Sequence, residues 1–87
     1  MRLIWLEDAW EDYLEWYDKD KRVIKKVNSF IKDIQRNGYD SIGKPEPLKG
    51  NYSGWWSLKI NAKDRFVFKI EDNNIVVLQV GNHYKDK

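Results

Sequence analysis

Arg65-Phe66-Val67-Phe68-Lys69-Ile70-Glu71-Asp72-Asn73-Asn74-Ile75-Val76-Val77-Leu78-Gln79-Val80 is the stretch that decides the fold. Phe66, Phe68 and Ile70 alternate with Arg65, Val67 and Lys69. Val76, Leu78 and Val80 alternate with Ile75, Val77 and Gln79. A period of two reads as a half-buried strand, and Asp72-Asn73-Asn74 is turn material. Directly opposed residues of an antiparallel pair share a face. A three-residue loop then sets Ile70 opposite Val76, Phe68 opposite Leu78, Phe66 opposite Val80 and Arg65 opposite Gly81. Upstream, Trp56, Leu58 and Ile60 alternate with Trp55, Ser57 and Lys59, and Asn61-Ala62-Lys63-Asp64 forms the turn. The same rule places Lys59 beside Arg65. If the last strand runs on to Tyr84, His83 has the parity of Gln79 and Gly81. Lys59, Arg65, Lys69 and His83 are then expected on one face.

Before these three strands come a short strand and two helices. Arg2 to Leu6 reads as a strand. From Glu7 to about Tyr17, Trp10, Tyr13, Leu14 and Tyr17 recur at helical spacing and predict one apolar face. Asp20 suits the cap of a second helix, in which Val23, Ile24, Val27, Phe30, Ile31 and Ile34 form a stripe ending at Asn37-Gly38. Residues 39–54 hold three of the five Gly and both Pro, and read as a long loop. The expected architecture is α+β, in the order β-α-α-β-β-β. A helix hairpin covers one face of a small, mostly antiparallel sheet, and the other face is open.

Composition narrows the functional classes. The 87 residues are expected to make one domain, residues 1–87, and an apolar content of 41% with five Trp argues against intrinsic disorder. Cys is absent, so neither a disulfide nor a thiolate metal site is available, which suits a reducing cytoplasm. The apolar run at the N-terminus is too short for a signal peptide or a membrane span. Residues 7–20 hold seven acids and one Lys, whereas residues 21–37 hold six bases and one acid. Two solvated helix faces that attract each other would explain this split, and so would a basic surface for a polyanion.

His83 is the only histidine, and Glu46 sits between prolines in Lys44-Pro45-Glu46-Pro47-Leu48-Lys49. RNA carries its own nucleophile, the 2′-hydroxyl. Cleavage needs a base for that proton, an acid for the leaving 5′-oxygen and positive charge for the phosphorane. One histidine excludes a two-histidine mechanism. The assignment is Glu46 as base, His83 as acid and Arg65 as charge stabiliser, with Lys49 and Lys59 holding phosphates and Lys69 beside them. No cofactor and no metal are called for. A carboxylate with its usual pKa near about 4.3 is a weak base, and desolvation of the Pro-Glu-Pro segment by substrate would strengthen it. Trp55 has the parity to stack a base.

The residues also carry a resemblance. Leu3-Ile4-Trp5, Asp20-Lys21-Arg22, Val23-Ile24 before Lys25-Lys26, Gly43-Lys44-Pro45-Glu46-Pro47-Leu48-Lys49, Ser53-Gly54, Arg65 and His83-Tyr84 together resemble the YoeB toxins of bacterial toxin–antitoxin systems, within the RelE-like superfamily. The likeness covers residues 1 to 84. It implies a metal-free, ribosome-dependent mRNA interferase that cuts mRNA in the ribosomal A site. It also implies a cognate antitoxin as partner and a homodimer. In the family's terms Glu46 matches the general base, His83 the acid, Arg65 the transition-state stabiliser, Tyr84 a C-terminal active-site residue and Lys49 a substrate-side cation. Two positions depart from the pattern, Lys59 where Arg is common and Gly81 where a basic residue is common. A non-catalytic toxin on this scaffold, of the gyrase-inhibiting kind, and a plain RNA-binding module are the alternatives.

Overall fold

The computed structural model describes residues 1–82. The chain runs β1 (Arg2–Trp5), α1 (Glu7–Lys19), α2 (Lys21–Asn37), β2 (Glu46–Pro47), β3 (Trp56–Lys59), β4 (Arg65–Glu71) and β5 (Asn74–Gly81), with single 3-10 turns at Gly38–Asp40 and Gly50–Tyr52. The strands form one sheet in the order β1-β5-β4-β3-β2. β1 lies parallel to β5, and every other pair is antiparallel. The α+β architecture is as expected, with one addition. The segment read wholly as loop contains β2, whose two residues carry Glu46. β2 is an edge strand, where Pro47 forfeits no ladder bond that a neighbour requires.

Asp20 alone joins the helices and serves both. Its backbone N–H closes α1 on the Trp16 carbonyl at 2.8 Å, and its Oδ1 accepts the Arg22 N–H at 3.0 Å to cap α2. The Arg22 guanidinium also bonds both oxygens of this carboxylate and holds it below its usual pKa. The pair is exposed, so it adds little beyond the cap. Tyr13 donates to Asn28 at 2.8 Å and ties α1 to α2. α2 ends at Gly38, whose φ of 58° lies in the left-handed region that favours glycine.

The helices cover one sheet face. Val23, Val27, Ile31 and Ile34 of α2 meet Leu58, Ile60, Phe66, Phe68, Ile75, Val77 and Val80. The stripe read for α2 is the buried one, with Phe30 half-buried beside it. Of the face read for α1, only Tyr13 packs on the core. Trp10, Leu14 and Tyr17 are about half exposed, and beside Tyr13 the helix buries Ala9 and Asp12 and packs Trp16 on the core. Apolar spacing missed this side because Ala9 is small and Asp12 is charged, so neither marks a buried face.

The β4–β5 hairpin corrects the expected register. Its turn has two residues, Asp72 and Asn73, both at positive φ (52° and 62°), so Glu71 opposes Asn74, Ile70 opposes Ile75 and Phe68 opposes Val77. Positive φ at both central positions is the demand of a type I′ turn, and its twist matches that of the strands. Ile75 and Val77, not Val76 and Leu78, therefore face the helices. A bulge then restores the frame. The pairing shifts between Val67 and Phe68, Leu78 is passed over, and Val67 opposes Gln79, Phe66 opposes Val80 and Arg65 opposes Gly81. The far end of the hairpin thus has the expected register although the near end does not.

Candidate active face

Strand pairing builds the second face row by row. Glu46 opposes Ser57, Ser57 opposes Val67, and Val67 opposes Gln79. In the next row Lys59 opposes Arg65 and Arg65 opposes Gly81. Rows two residues apart along a strand share a face. Glu46, Lys59 and Arg65 therefore stand on the same side of the sheet. Lys59 is the diagonal neighbour of Glu46, at about 7–8 Å between backbones. Arg65 lies two strands over, roughly 10 Å across and about 7 Å along, within reach of long side chains meeting one ligand. The middle of the row is buried, with Val67 at 0%, Gln79 at 4% and Ser57 at 6% exposure, whereas Glu46 and Lys59 are exposed.

The loop before β2 presents Glu46 in a fixed way. Lys44 takes φ 58°, a conformation uncommon for a residue with a side chain, and its N–H donates to the Ser41 carbonyl at 3.0 Å. Gly43 runs so close to the core that a Cβ there would lie 2.7 Å from Leu58 Cδ2. Pro45 is buried behind it. A cleft of about 420 Å³ opens alongside, where Glu46 shares the lining with Lys26, Lys44 and Lys59. One carboxylate among three ammonium groups suits a polyanion whose proton must be removed locally.

Arg65 is held from the turn that precedes it. Its Nη1 donates to the carbonyls of Asn61 at 3.1 Å and Asp64 at 3.2 Å. That turn is stiff. Asn61 Oδ1 accepts the N–H groups of Lys63 and Asp64, and Asn61 Nδ2 donates to the buried Asp64 carboxylate at 2.9 Å. Lys26 reaches over from α2 to donate to the Ile60 carbonyl at 2.9 Å. In the sequence these residues read only as turn material, with no part in holding Arg65. The Asn-x-x-Asp spacing was the available signal, since Asn and Asp bond their own backbone in turns.

The remaining cations lie on the other side of Glu46. Lys69 is half-buried on this face, its ammonium 4.6 Å from the centre of the Trp55 ring and 3.2 Å from Glu71 Oε1. Trp55 thus carries a cation on its ring. Lys49 is exposed just past β2, at the end away from Lys59. Positive groups therefore flank the carboxylate in both directions along the face. His83 and Tyr84 lie outside the described residues. Among the described residues no three His, Cys, Asp or Glu side chains are grouped to hold a metal, and no helix is long and apolar enough to cross a membrane. The acidic flank of α1 lines a different cavity, of about 330 Å³, with Leu78 and Gln79 of β5, and its charge disfavours phosphate there.

Two helices on an open mixed sheet with this cationic second face define a RelE-like fold. The same fold is seen in the YoeB–YefM complex from Staphylococcus aureus (TM-score 0.88, 38% identity, 97% of this chain and 98% of that one) and in the YoeB dimer from the same organism (TM-score 0.87, 39% identity, with the same shares covered). The family model described as YoeB-like toxin of bacterial type II toxin-antitoxin system matches residues 5–84. Toxin YoeB of Escherichia coli K12 is 45% identical over 84 residues, which is 97% of this chain and all of that protein. The chain belongs to the YoeB-like toxins of type II toxin–antitoxin systems.

Proposed function

We propose that this toxin is a ribosome-dependent, metal-free endoribonuclease that cuts mRNA within the A-site codon. The observation that carries the reading is the pairing of strands that sets exposed Glu46 beside Lys59 and one row from Arg65. Glu46 takes the proton of the 2′-hydroxyl as that oxygen attacks the adjacent phosphorus. His83 protonates the departing 5′-oxygen. The products are a 2′,3′-cyclic phosphate and a free 5′-hydroxyl. Arg65 neutralises the phosphorane, in a geometry favoured by its anchorage at Nη1, which leaves Nε and Nη2 unengaged among the described residues. Lys59, Lys69 and Lys49 hold the strand on either side, and Tyr84 completes the C-terminal end of the site. Assembly with an antitoxin and with a second copy is supported by the complex and the dimer of the Staphylococcus aureus relatives. The chain would act in the cytoplasm.

Primer extension on an mRNA in a reconstituted translation system tests this. The unmodified toxin is expected to cut in the A-site codon, and Glu46→Ala and His83→Gln to abolish the cut while still binding antitoxin. A toxin that arrests growth equally well with both substitutions would refute the nuclease reading and turn attention to a non-catalytic target.

A further inference from the structure

β1 stops short of the strand it supports. It pairs with β5 from Arg2 opposite Asn74 to Trp5 opposite Val77, and the Leu6 N–H then donates to the Val77 carbonyl at 3.0 Å. Beyond that point the chain has turned into α1, so among the described residues Leu78 to Gly81 have a strand neighbour on the β4 side only. Buried backbone groups need partners. Val80 is 1% exposed, and α1 supplies both of its partners. Asp12 Oδ2 accepts the Val80 N–H at 3.0 Å, and Trp16 Nε1 donates to the Val80 carbonyl at 2.8 Å. Residues four apart on a helix share a face, so one helical turn presents an acceptor and a donor as a neighbouring strand would. Asp12 is only 8% exposed, a buried carboxylate is costly unless it is bound, and this amide is one of the groups that bind it.

The grip falls just past an irregularity. Beyond the bulge that passes over Leu78, the register of β5 rests on β4 and on these contacts from α1. A slip of one residue would turn Gln79 and Gly81 from the second face to the core. Gly81 is the residue opposite Arg65, and His83 follows it by two in the sequence. We propose that Asp12 and Trp16 are positioning residues: α1 stands in for the missing strand and holds the end of β5 in register with Arg65. This rests on the nuclease reading of the face.

The test compares Asp12→Ala, Asp12→Asn and Trp16→Phe with the unmodified toxin. Single-turnover cutting on programmed ribosomes is measured at saturating and lower toxin concentrations, with amide hydrogen exchange at Val80. In Asp12→Ala the Val80 amide is expected to exchange faster and the saturated rate to fall by roughly ten- to hundredfold, as a small misplacement allows. The half-saturating concentration should change by less than about twofold. Asp12→Asn keeps an acceptor oxygen and should recover most of the rate. Trp16→Phe keeps the ring and removes the donor, and it carries the test alone if Asp12→Ala does not fold. A Val80 amide that loosens with the saturated rate unchanged would overturn the proposal. So would a loss confined to the half-saturating concentration. Absence of cutting by the unmodified toxin would defeat the nuclease reading itself, and this proposal with it, before any variant is compared.

Discussion

Lys59 occupies the position diagonal to Glu46 and opposite Arg65, exposed and lining the cleft. An ammonium there is a point charge, whereas a guanidinium could engage a phosphate through two parallel bonds. Lys59→Arg is therefore expected to raise the single-turnover cutting rate by up to about tenfold, or about 1.4 kcal/mol of transition-state stabilisation. The substitution leaves the core untouched, so the thermal midpoint should not move. Ribosome-based cutting assays beside a melting curve check both halves. Asn61 works through another residue. Its side chain closes the turn from which Arg65 is anchored, so the direction of the guanidinium depends on Asn61.

The β4–β5 hairpin shows how much an element's local chemistry decides. Asp72 and Asn73 hold positive φ, which Gly accepts freely at the second turn position and a β-branched residue resists. Asn73→Gly should raise the thermal midpoint by a few degrees, on the order of 0.5 kcal/mol, and Asn73→Val should lower it. Thermal unfolding of the two variants decides this. The same hairpin marks the limit of what alternation reveals. Strand identity, the burial of Phe66 and Phe68 and the pairing of Lys59, Arg65 and Gly81 were legible, because period-two patterns report faces. The bulge at Leu78 was not, because Ile75 to Leu78 are all apolar and fit either frame. β2 was hidden by its prolines and its two-residue length. The buried side of α1 was hidden for a different reason. Asp12 and Trp16 face inward to meet the backbone of Val80, and no property of α1 taken alone requires that.

Across the whole molecule, charge is segregated and nearly cancels. The net value is +2, with the acids concentrated in α1 and the bases in α2 and along the second face. Binding driven by phosphate contacts scales with the charges engaged and weakens with salt. Free RNA should accordingly bind weakly, and the slope of log affinity against log salt should correspond to only about three or four phosphate contacts. Filter binding across a salt series, beside cutting of the same RNA free and on ribosomes, tests the expectation. A steep slope with efficient cutting of free RNA would count against dependence on the ribosome. The pairing of β1 with β5 has a consequence for the life of the chain. Among the described residues β1 pairs with β5 alone, the latest strand in chain order, so the sheet cannot close before β5 has been made. The end of β5, which faces Arg65, is also gripped from α1, an element made much earlier. A product that stops before β5 would leave β1 unpaired and give α1 no strand to grip, so it should be inert as a toxin.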